Sequence, residues 1–551
     1  MVIDESPHGS LDVSEGDAPT HSRAALQPLG FSGWIFIVGA VAAVALSIAG
    51  LFYGGIGWDS RFDTDATAIA RSLDVESLEQ AYEAVPVTTE FYGLLVYQLA
   101  DLGHMLVTGE TELFGPDDPE AYFWQGLVTI FFSVLAAISF AWAMSIVTGK
   151  RLIGAIGAAL LLSTPLWLGS STVNYKDMPV AAGITVFSSA LAVGIAGRMD
   201  RSRWVAVLLW ASIGASMACA TRAGSFVVLL AIALGSLVFV VLTRHRDRQS
   251  WLPVAVTGLF GLGTSLLFLL TTNPIARLGP VQWLRDSWAY STGGFPWVTA
   301  MRTAGVDVPS NAITWWYIPA WVLAQLPLVT IAFASVGIGI LIRDVLRSRG
   351  IALTRDYAWF VPFAIQGFVL PFGLIVRGTE LYDGIRHLLF IFSAFVALAL
   401  IPIMTVLRKQ QYRSTSGRSI AVALGVIVVG ASLFASARWF PYSYAFINPV
   451  AGWNKAERNW ELDYWGVSAR EGIRTLNDLG VPPRAVIPYN DPVRPFDPTV
   501  TQMPGDNPSG QPFGYYWFAR WEFPADVPFE CEDLFEIRRD GHLIGKGGVC
   551  R

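Results

Sequence analysis

Residues 31–63 read FSGWIFIVGAVAAVALSIAGLFYGGIGWDSRFD. From position 31 to 56 the run carries no charge, which is the length and composition of a bilayer-spanning helix. It gives way at once to Trp58, Asp59, Arg61 and Asp63. A spanning segment that delivers carboxylates to the bilayer surface sets the theme of the chain. Ten further apolar runs follow, at 122–147, 152–168, 178–196, 204–220, 224–241, 251–270, 314–342, 357–376, 387–407 and 420–437. With 53% hydrophobic and 15% charged residues among 551, a soluble domain is excluded, and the pattern predicts a polytopic α-helical membrane protein of about eleven spans. Nothing in the charge distribution suggests nucleic acid, and the formal net charge of -5 does not set orientation.

Orientation follows from where Lys and Arg stand. The loops alternate, one set carrying Lys150 and Arg151; Arg198, Arg201 and Arg203; Arg244, Arg246 and Arg248; Arg343, Arg347 and Arg349; and Arg408, Lys409, Arg413 and Arg418. These read as cytoplasmic loops of an inner (plasma) membrane protein. Residues 1–30 are polar and lack the basic start and small-residue cleavage site of a secretory leader, so they read as a disordered cytoplasmic tail before a retained anchor. An odd number of spans then puts the C-terminus outside. Residues 91–107 are apolar but contain Asp101 and His104, and read as an interfacial or re-entrant helix and not as a twelfth span.

Three large segments fall on the outer side, 57–121, 271–313 and 438–551. The spanning core thus occupies 31–437, and 438–551 reads as a small extracytoplasmic domain, mixed or β-rich, from pieces such as RAVIPY and turns such as GDNPSG. Cys531 and Cys550 lie in it and suit a structural disulfide, whereas Cys219 falls within a span. No ligand cluster marks a metal site, and a divalent metal stays compatible with the pattern. No internal repeat of the kind used by inverted-repeat transporters is visible.

The residues with chemistry gather on the outer side. Asp59 ends the first apolar run and Asp63 follows it; Asp74, Glu76, Glu79 and Glu83 beyond them have the spacing of a solvated helix face. The segment VNYKDMPVAAG places Asn174, Lys176 and Asp177 in a short turn between two apolar helices. A charge near a span costs on the order of ~3 kcal/mol, so the pair implies a function or a mutual ion pair, with a snorkelling lysine and a capping aspartate as the structural alternative. Arg222, Arg277, Arg285, Arg302, Arg377 and Arg386 run against the positive-inside bias. Phosphate recognition explains such cations; local pairing, as of Arg386 with Asp383, is the alternative. His387 reads as a proton carrier or a structural group at a helix start. The tryptophans read as interfacial belts, and the group Trp283, Trp288, Trp297, Trp315 and Trp316 also suits stacking on sugar rings or a lipid groove.

Four stretches, GIGWDSRFD, VNYKDMPVAAG, TRAGS and YDGIRHLLF followed by NWELDYWGVSARE, together resemble the GT-C membrane glycosyltransferases, in particular the bacterial branch related to protein O-mannosyltransferases and lipid-A aminoarabinose transferases. Ser60 stands where that branch often has Glu, and Tyr175 where it has Pro. The resemblance implies an inverting transfer from a polyprenyl-phosphate sugar to a cell-envelope glycan, lipid or protein. Asp59 would be the general base, with Asp177 orienting Lys176 or serving as a second acid. Lys176, Arg222, Arg386 and His387 would hold the donor phosphate, and Asp63, Asn174, Tyr382, Asp383, Glu461 and Asp463 would contact substrate or acceptor. A lipid or solute transporter or flippase is the competing reading, and a noncatalytic envelope scaffold a third.

Overall fold

A computed structural model describes residues 29–72, 93–196, 199–244, 248–292, 298–409, 416–453, 455–488, 490–502, 511–520 and 529–551. The N-terminal tail, the acidic group from Asp74 to Glu83, Arg198, Arg246, Arg413, Trp297 and the GDNPSG turn lie outside the described residues.

In chain order the helices are α1 (Phe31–Tyr53), α2 (Trp58–Ser72), α3 (Leu95–Thr108), α4 (Pro119–Thr148), α5 (Arg151–Ser163), α6 (Pro165–Val173), α7 (Asp177–Ile195), α8 (Arg201–Thr221), α9 (Ser225–Thr243), α10 (Trp251–Thr272), α11 (Pro280–Thr292), α12 (Tyr317–Gln325), α13 (Leu328–Arg347), α14 (Ala358–Arg377), α15 (Ile391–Arg408), α16 (Gly417–Arg438) and α17 (Ala469–Asp478). Among the described residues ten of these are long and apolar enough to cross a bilayer, and the bent pair α5 and α6 raises the number to eleven when taken as one span. The start of α2, the starts of α7 and α15 and the junction of α8 with α9 come together on one face, where their charged residues meet in ion pairs. The chain is thus a multi-pass membrane protein with a small C-terminal sheet region on that face.

Local sequence explains the breaks. The helix expected to reach position 56 stops at Tyr53, because Gly54 is extended and begins the GGIG step. Gly55 N–H then donates to the Val467 carbonyl at 2.9 Å and Trp58 N–H to that of Trp465 at 3.0 Å. Asp59 therefore does not end the first span; it stands in the first turn of α2. The span expected at 152–168 breaks at Thr164 before Pro165 and bends by 61°. The span expected at 314–342 is divided by Pro327 into α12 and α13. His387 does not begin a helix but lies in a 3-10 turn, Arg386–Leu388, ahead of α15. The 14 residues of α3 are too few to cross, and its Asp101 takes both oxygens to Arg71 of α2, at 2.6 and 2.7 Å.

At the centre is α7, buried along its whole length against α4, α8, α9 and α10. Its approach to α8 rests on two facing glycines. A β-carbon on Gly183 would lie 2.5 Å from the Gly214 carbonyl oxygen, and one on Gly214 would lie 2.6 Å from that of Gly183. Small residues let helices approach in a bilayer, where no hydrophobic force draws apolar faces together.

Beyond α16 the chain forms a five-stranded mixed sheet from β3 (Pro483–Ile487), β4 (Thr501–Gln502), β5 (Phe513–Phe518), β6 (Cys531–Arg539) and β7 (His542–Cys550), after a hairpin of β1 (Ala300–Thr303) and β2 (Val306–Pro309) in the long loop. The order is β4-β3-β5-β7-β6, with β3 parallel to β4 and β5, and β7 antiparallel to β5 and β6. Cys531 and Cys550 face each other across β6 and β7 and are joined as a disulfide. The amphipathic α17 lays Gly472, Ile473 and Leu476 on the sheet, and its Glu471 accepts from both Arg539 and Tyr442.

Replacing Gly183 by Ala forces α7 and α8 apart against backbone that cannot yield, so thermal unfolding in detergent is expected to show a loss of about 1–3 kcal/mol. An unchanged melting temperature would refute the close contact.

Candidate functional site

The four stretches singled out in the sequence meet at one place. Asp59 and Asp63, one helical turn apart on α2, both face the turn before α7, where Lys176 Nζ lies 3.1 Å from Asp59 Oδ2 and 2.9 Å from Asp63 Oδ2. That turn is held by Asn174, whose Oδ1 accepts from the Asp177 N–H at 2.8 Å and whose Nδ2 donates to Asp177 Oδ2 at 3.2 Å. Asn174 is thus a builder of the turn. Lys176 does not pair with its neighbour Asp177, as the sequence suggested; Asp177 instead takes Arg222 Nη2 at 3.0 Å, and Arg386 Nε stands 4.0 Å from it.

Arg386 is the hub. Its side chain is 1% exposed, its Nη1 lies 3.1 Å from Asp59 Oδ2, and its Nη2 lies 3.1 Å from Asp383 Oδ2. Tyr382 and Trp465 place their rings 4.8 and 5.3 Å from the guanidinium carbon. The turn that aims it requires left-handed backbone at Asp383 (φ 55°) and Gly384 (φ 66°). His387 packs edge-on to Tyr382 at 4.8 Å, and burial, with the nearby cations and against the pull of Asp177, pushes its imidazole down to about 3, which favours the neutral form. A neutral imidazole brings no charge to a phosphate and acts at most as a hydrogen-bond donor, with its buried Nδ1 lacking a partner.

Behind Arg386 lies a second layer of charge, in which Asp383 and Glu461 were singled out in the sequence and Arg520 was not. Arg520, just past β5, lies 2.9 Å from Asp383 Oδ1 and 3.1 Å from Glu461 Oε1, and donates to the Tyr464 carbonyl at 2.5 Å. The chain Glu461, Arg520, Asp383, Arg386, Asp59, Lys176, Asp63 therefore runs from the sheet region to the spans. YYWFAR carries no motif, and the signal available was a lone arginine following a fully buried strand. Asp463, expected as an acceptor contact, is committed elsewhere. Its oxygens accept from the Val467 and Ser468 N–H groups at 3.0 and 3.1 Å and from the hydroxyls of Tyr444 and Ser468, so it fastens the start of α17.

The carboxyls differ in charge state. Burial works against ionisation of Asp59, but Lys176 and Arg386 outweigh it and hold the group well below the usual carboxylate range. Burial, helped by the neighbouring charge of Asp59, raises Asp63 to about 6 against the pull of Lys176, which it shares with Asp59. Burial lifts Glu461 to about 8 against the opposing pull of Arg520. Asp59 keeps 19% of its side chain exposed and Arg222 31%, while Asp63 and Asp177 keep 3% each, so the cluster opens to its surroundings at Asp59 and Arg222. Close by, a cleft of about 400 Å³ with mainly apolar walls opens between the end of α1, the start of α4, the end of α6 and α17, lined by Tyr122, Phe123, Tyr175, Phe496 and Arg470 among others. Among the described residues no group of three His, Cys, Asp or Glu side chains is gathered for a metal ion.

No protein-family model matches the sequence, and no curated protein does. Solved structures do match in shape. The apo oligosaccharyltransferase of Archaeoglobus fulgidus superposes with a TM-score of 0.50 at 12% identity, covering 87% of this chain and 65% of that one. ArnT of Cupriavidus metallidurans bound to undecaprenyl phosphate gives 0.48 at 12% identity, covering 94% and 98%. AglB of Archaeoglobus fulgidus with an inhibitory peptide and a dolichol-phosphate gives 0.48 at 12%, covering 74% and 55%. The chain thus spans between half and two thirds of the archaeal enzyme. At this identity the likeness is one of fold: the chain shares the fold of the archaeal oligosaccharyltransferase structure.

Arg520→Met removes one of the two cations that hold buried Asp383 and the cation beside Glu461, and is expected to lower unfolding stability by about 3–5 kcal/mol, whereas Glu461→Gln, which removes an acid and leaves Arg520 with Asp383, costs less. The raised Glu461 carboxyl also fixes a sign. Its contribution is fully present below its ordinary value of 4.5 and is lost as pH rises through about 8, so Glu461→Gln flattens the fall in stability between those limits. Thermal unfolding of the three proteins across pH measures both effects.

Proposed function

We propose that the protein is a membrane glycosyltransferase that moves a sugar from a polyprenyl-phosphate donor to a hydroxyl of a cell-envelope glycan, lipid or protein. The observation that carries this reading is the trio of Lys176, Arg222 and Arg386, gathered from three separate segments around Asp59 and Asp177 at the ends of spanning helices. Three cations at a low-dielectric boundary suit a phosphate leaving group, which departs with the bonding electron pair and needs its charge held. The acceptor oxygen attacks the anomeric carbon opposite the phosphate, the bond from that carbon to phosphate oxygen breaks with inversion, and the acceptor proton passes to Asp59. Asp63, buried behind Lys176, positions that lysine. Tyr382 and Asp383 act by orienting Arg386, and Glu461 by orienting Arg520. The fold shared with the archaeal oligosaccharyltransferase structure supports the reading, and the apolar cleft beside Tyr175 offers a place for the hydrocarbon part of a lipid-linked substrate. A transporter would carry its charged residues near the middle of the bilayer, whereas these stand at helix ends.

The orientation that goes with this activity is a plasma (inner) membrane protein with its N-terminus in the cytoplasm and the site outside. The face opposite the site carries Lys150, Arg151, Arg343, Arg347 and Arg408, as the positive-inside rule asks of a cytoplasmic face. The Cys531–Cys550 disulfide suits an oxidising exterior.

The test is sugar transfer by the purified protein from a panel of radiolabelled polyprenyl-phosphate sugars to envelope extract. Asp59→Asn is expected to lower turnover by about 10²–10⁴-fold while the protein stays folded. Lys176→Met and Arg386→Met are expected to weaken donor use as well. Failure of the wild type to consume any donor in the panel would overturn the reading.

A further inference from the structure

Asp59 occupies the place that a substrate anion needs. Its Oδ2 lies 3.1 Å from Nζ of Lys176 and 3.1 Å from Nη1 of Arg386, so one carboxylate oxygen bridges the two cations as a phosphate oxygen would. Those donors cannot serve Asp59 and a phosphate in the same geometry at once. Of the acids in the cluster, Asp59 is also the one able to leave. Asp63, Asp177 and Asp383 are 3% exposed or less, and an unpaired charge in their positions would be stranded away from water. Asp59 keeps 19% of its side chain exposed and stands in the first turn of α2, just after the GGIG step, so it can turn its carboxylate outward.

We propose that Asp59 is the resting occupant of the anion site, and that the phosphate group of a phosphate ester displaces it from Lys176 and Arg386 as it binds. The proposal rests on the phosphate reading of the cluster given above. It resolves a tension within that reading, since a carboxylate gripped by two cations is a poor proton acceptor. The charged and titratable groups facing Asp59 are Lys176, Arg386, Asp63 and Tyr382. When phosphate takes over the two cations, the groups left near Asp59 favour its protonated form. Asp59 then gains proton affinity only with the donor in place, which makes donor binding precede activation of the acceptor hydroxyl. Lys176 and Arg386 remain paired throughout, first with a carboxylate and then with phosphate, so the buried guanidinium is never left bare.

The experiment is titration calorimetry of the full-length protein in detergent with inorganic phosphate and, separately, farnesyl phosphate, on wild type, Asp59→Asn and Asp59→Glu. Removing the internal competitor is expected to tighten phosphate binding by about tenfold, the effect of one lost ion pair of ordinary strength, while Asp59→Glu stays near wild type. Tightening with both probes, or with the lipid phosphate alone, supports displacement and tells a general anion site from a lipid-phosphate site. Equal or weaker binding of both probes by Asp59→Asn overturns it. A second measurement uses wild-type protein alone. Esterification of Asp59 by a diazo reagent, mapped by mass spectrometry, is expected to rise several-fold with saturating phosphate; unchanged or reduced labelling overturns the proposal even if Asp59→Asn does not fold. The two readings fail separately. Tighter phosphate binding without sugar transfer by the wild type sinks the glycosyltransferase reading alone, and transfer by a wild type whose Asp59→Asn variant binds phosphate no better sinks the displacement alone.

Discussion

A guanidinium buried to 1% exposure at the edge of a membrane domain has to be surrounded by acids, and Arg386 organises the molecule around that requirement. Its three nitrogens look toward Asp59, Asp177 and Asp383, which come from the start of α2, the start of α7 and its own turn. Each of those acids then needs a further cation. Asp59 takes Lys176, Asp177 takes Arg222 and Asp383 takes Arg520. The ends of four spanning helices and one strand of the sheet are brought to a point by a condition of charge balance.

The same network explains why the sheet region sits on the spans. Arg520 and Glu461 come from the C-terminal part of the chain, and Trp465 covers Arg386 from the same side. Asp463 locks α17 at its first residues, and Glu471 on that helix meets Tyr442 and Arg539. The sheet region contributes to the site through the residues that keep Arg386 pointed at Asp59.

Irregular backbone occurs at several places around the site. Non-helical segments near a membrane core are tolerated where protein buries them. The GGIG step pairs with carbonyls of Trp465 and Val467, the break at Thr164 and Pro165 lies among buried residues, and the DG turn before Arg386 is buried as well. Each break redirects the chain. Without the first, Asp59 would continue the line of α1; with it, Asp59 opens α2 and meets Lys176.

The sequence by itself determined the membrane class, the polytopic helical core and the presence of a sheet region at the C-terminus. Hydropathy and residue alternation are local properties that survive without knowledge of contacts. It also singled out Asp59, Lys176, Asp177, Arg222 and Arg386, because charges beside apolar runs are costly and hence conspicuous. The tertiary structure alone decided who pairs with whom. Lys176 lies next to Asp177 in the chain, yet it reaches Asp59 and Asp63 across more than 110 positions. Arg520 follows an ordinary strand and reveals its role only through Asp383 and Glu461. The breaks at Tyr53 and Pro165 were similarly hidden, since an apolar run reads alike whether the helix within it is straight or bent. Which charges face one another depends on how helices are packed, and that packing is settled by small residues, prolines and buried ion pairs acting over distances that no local window spans.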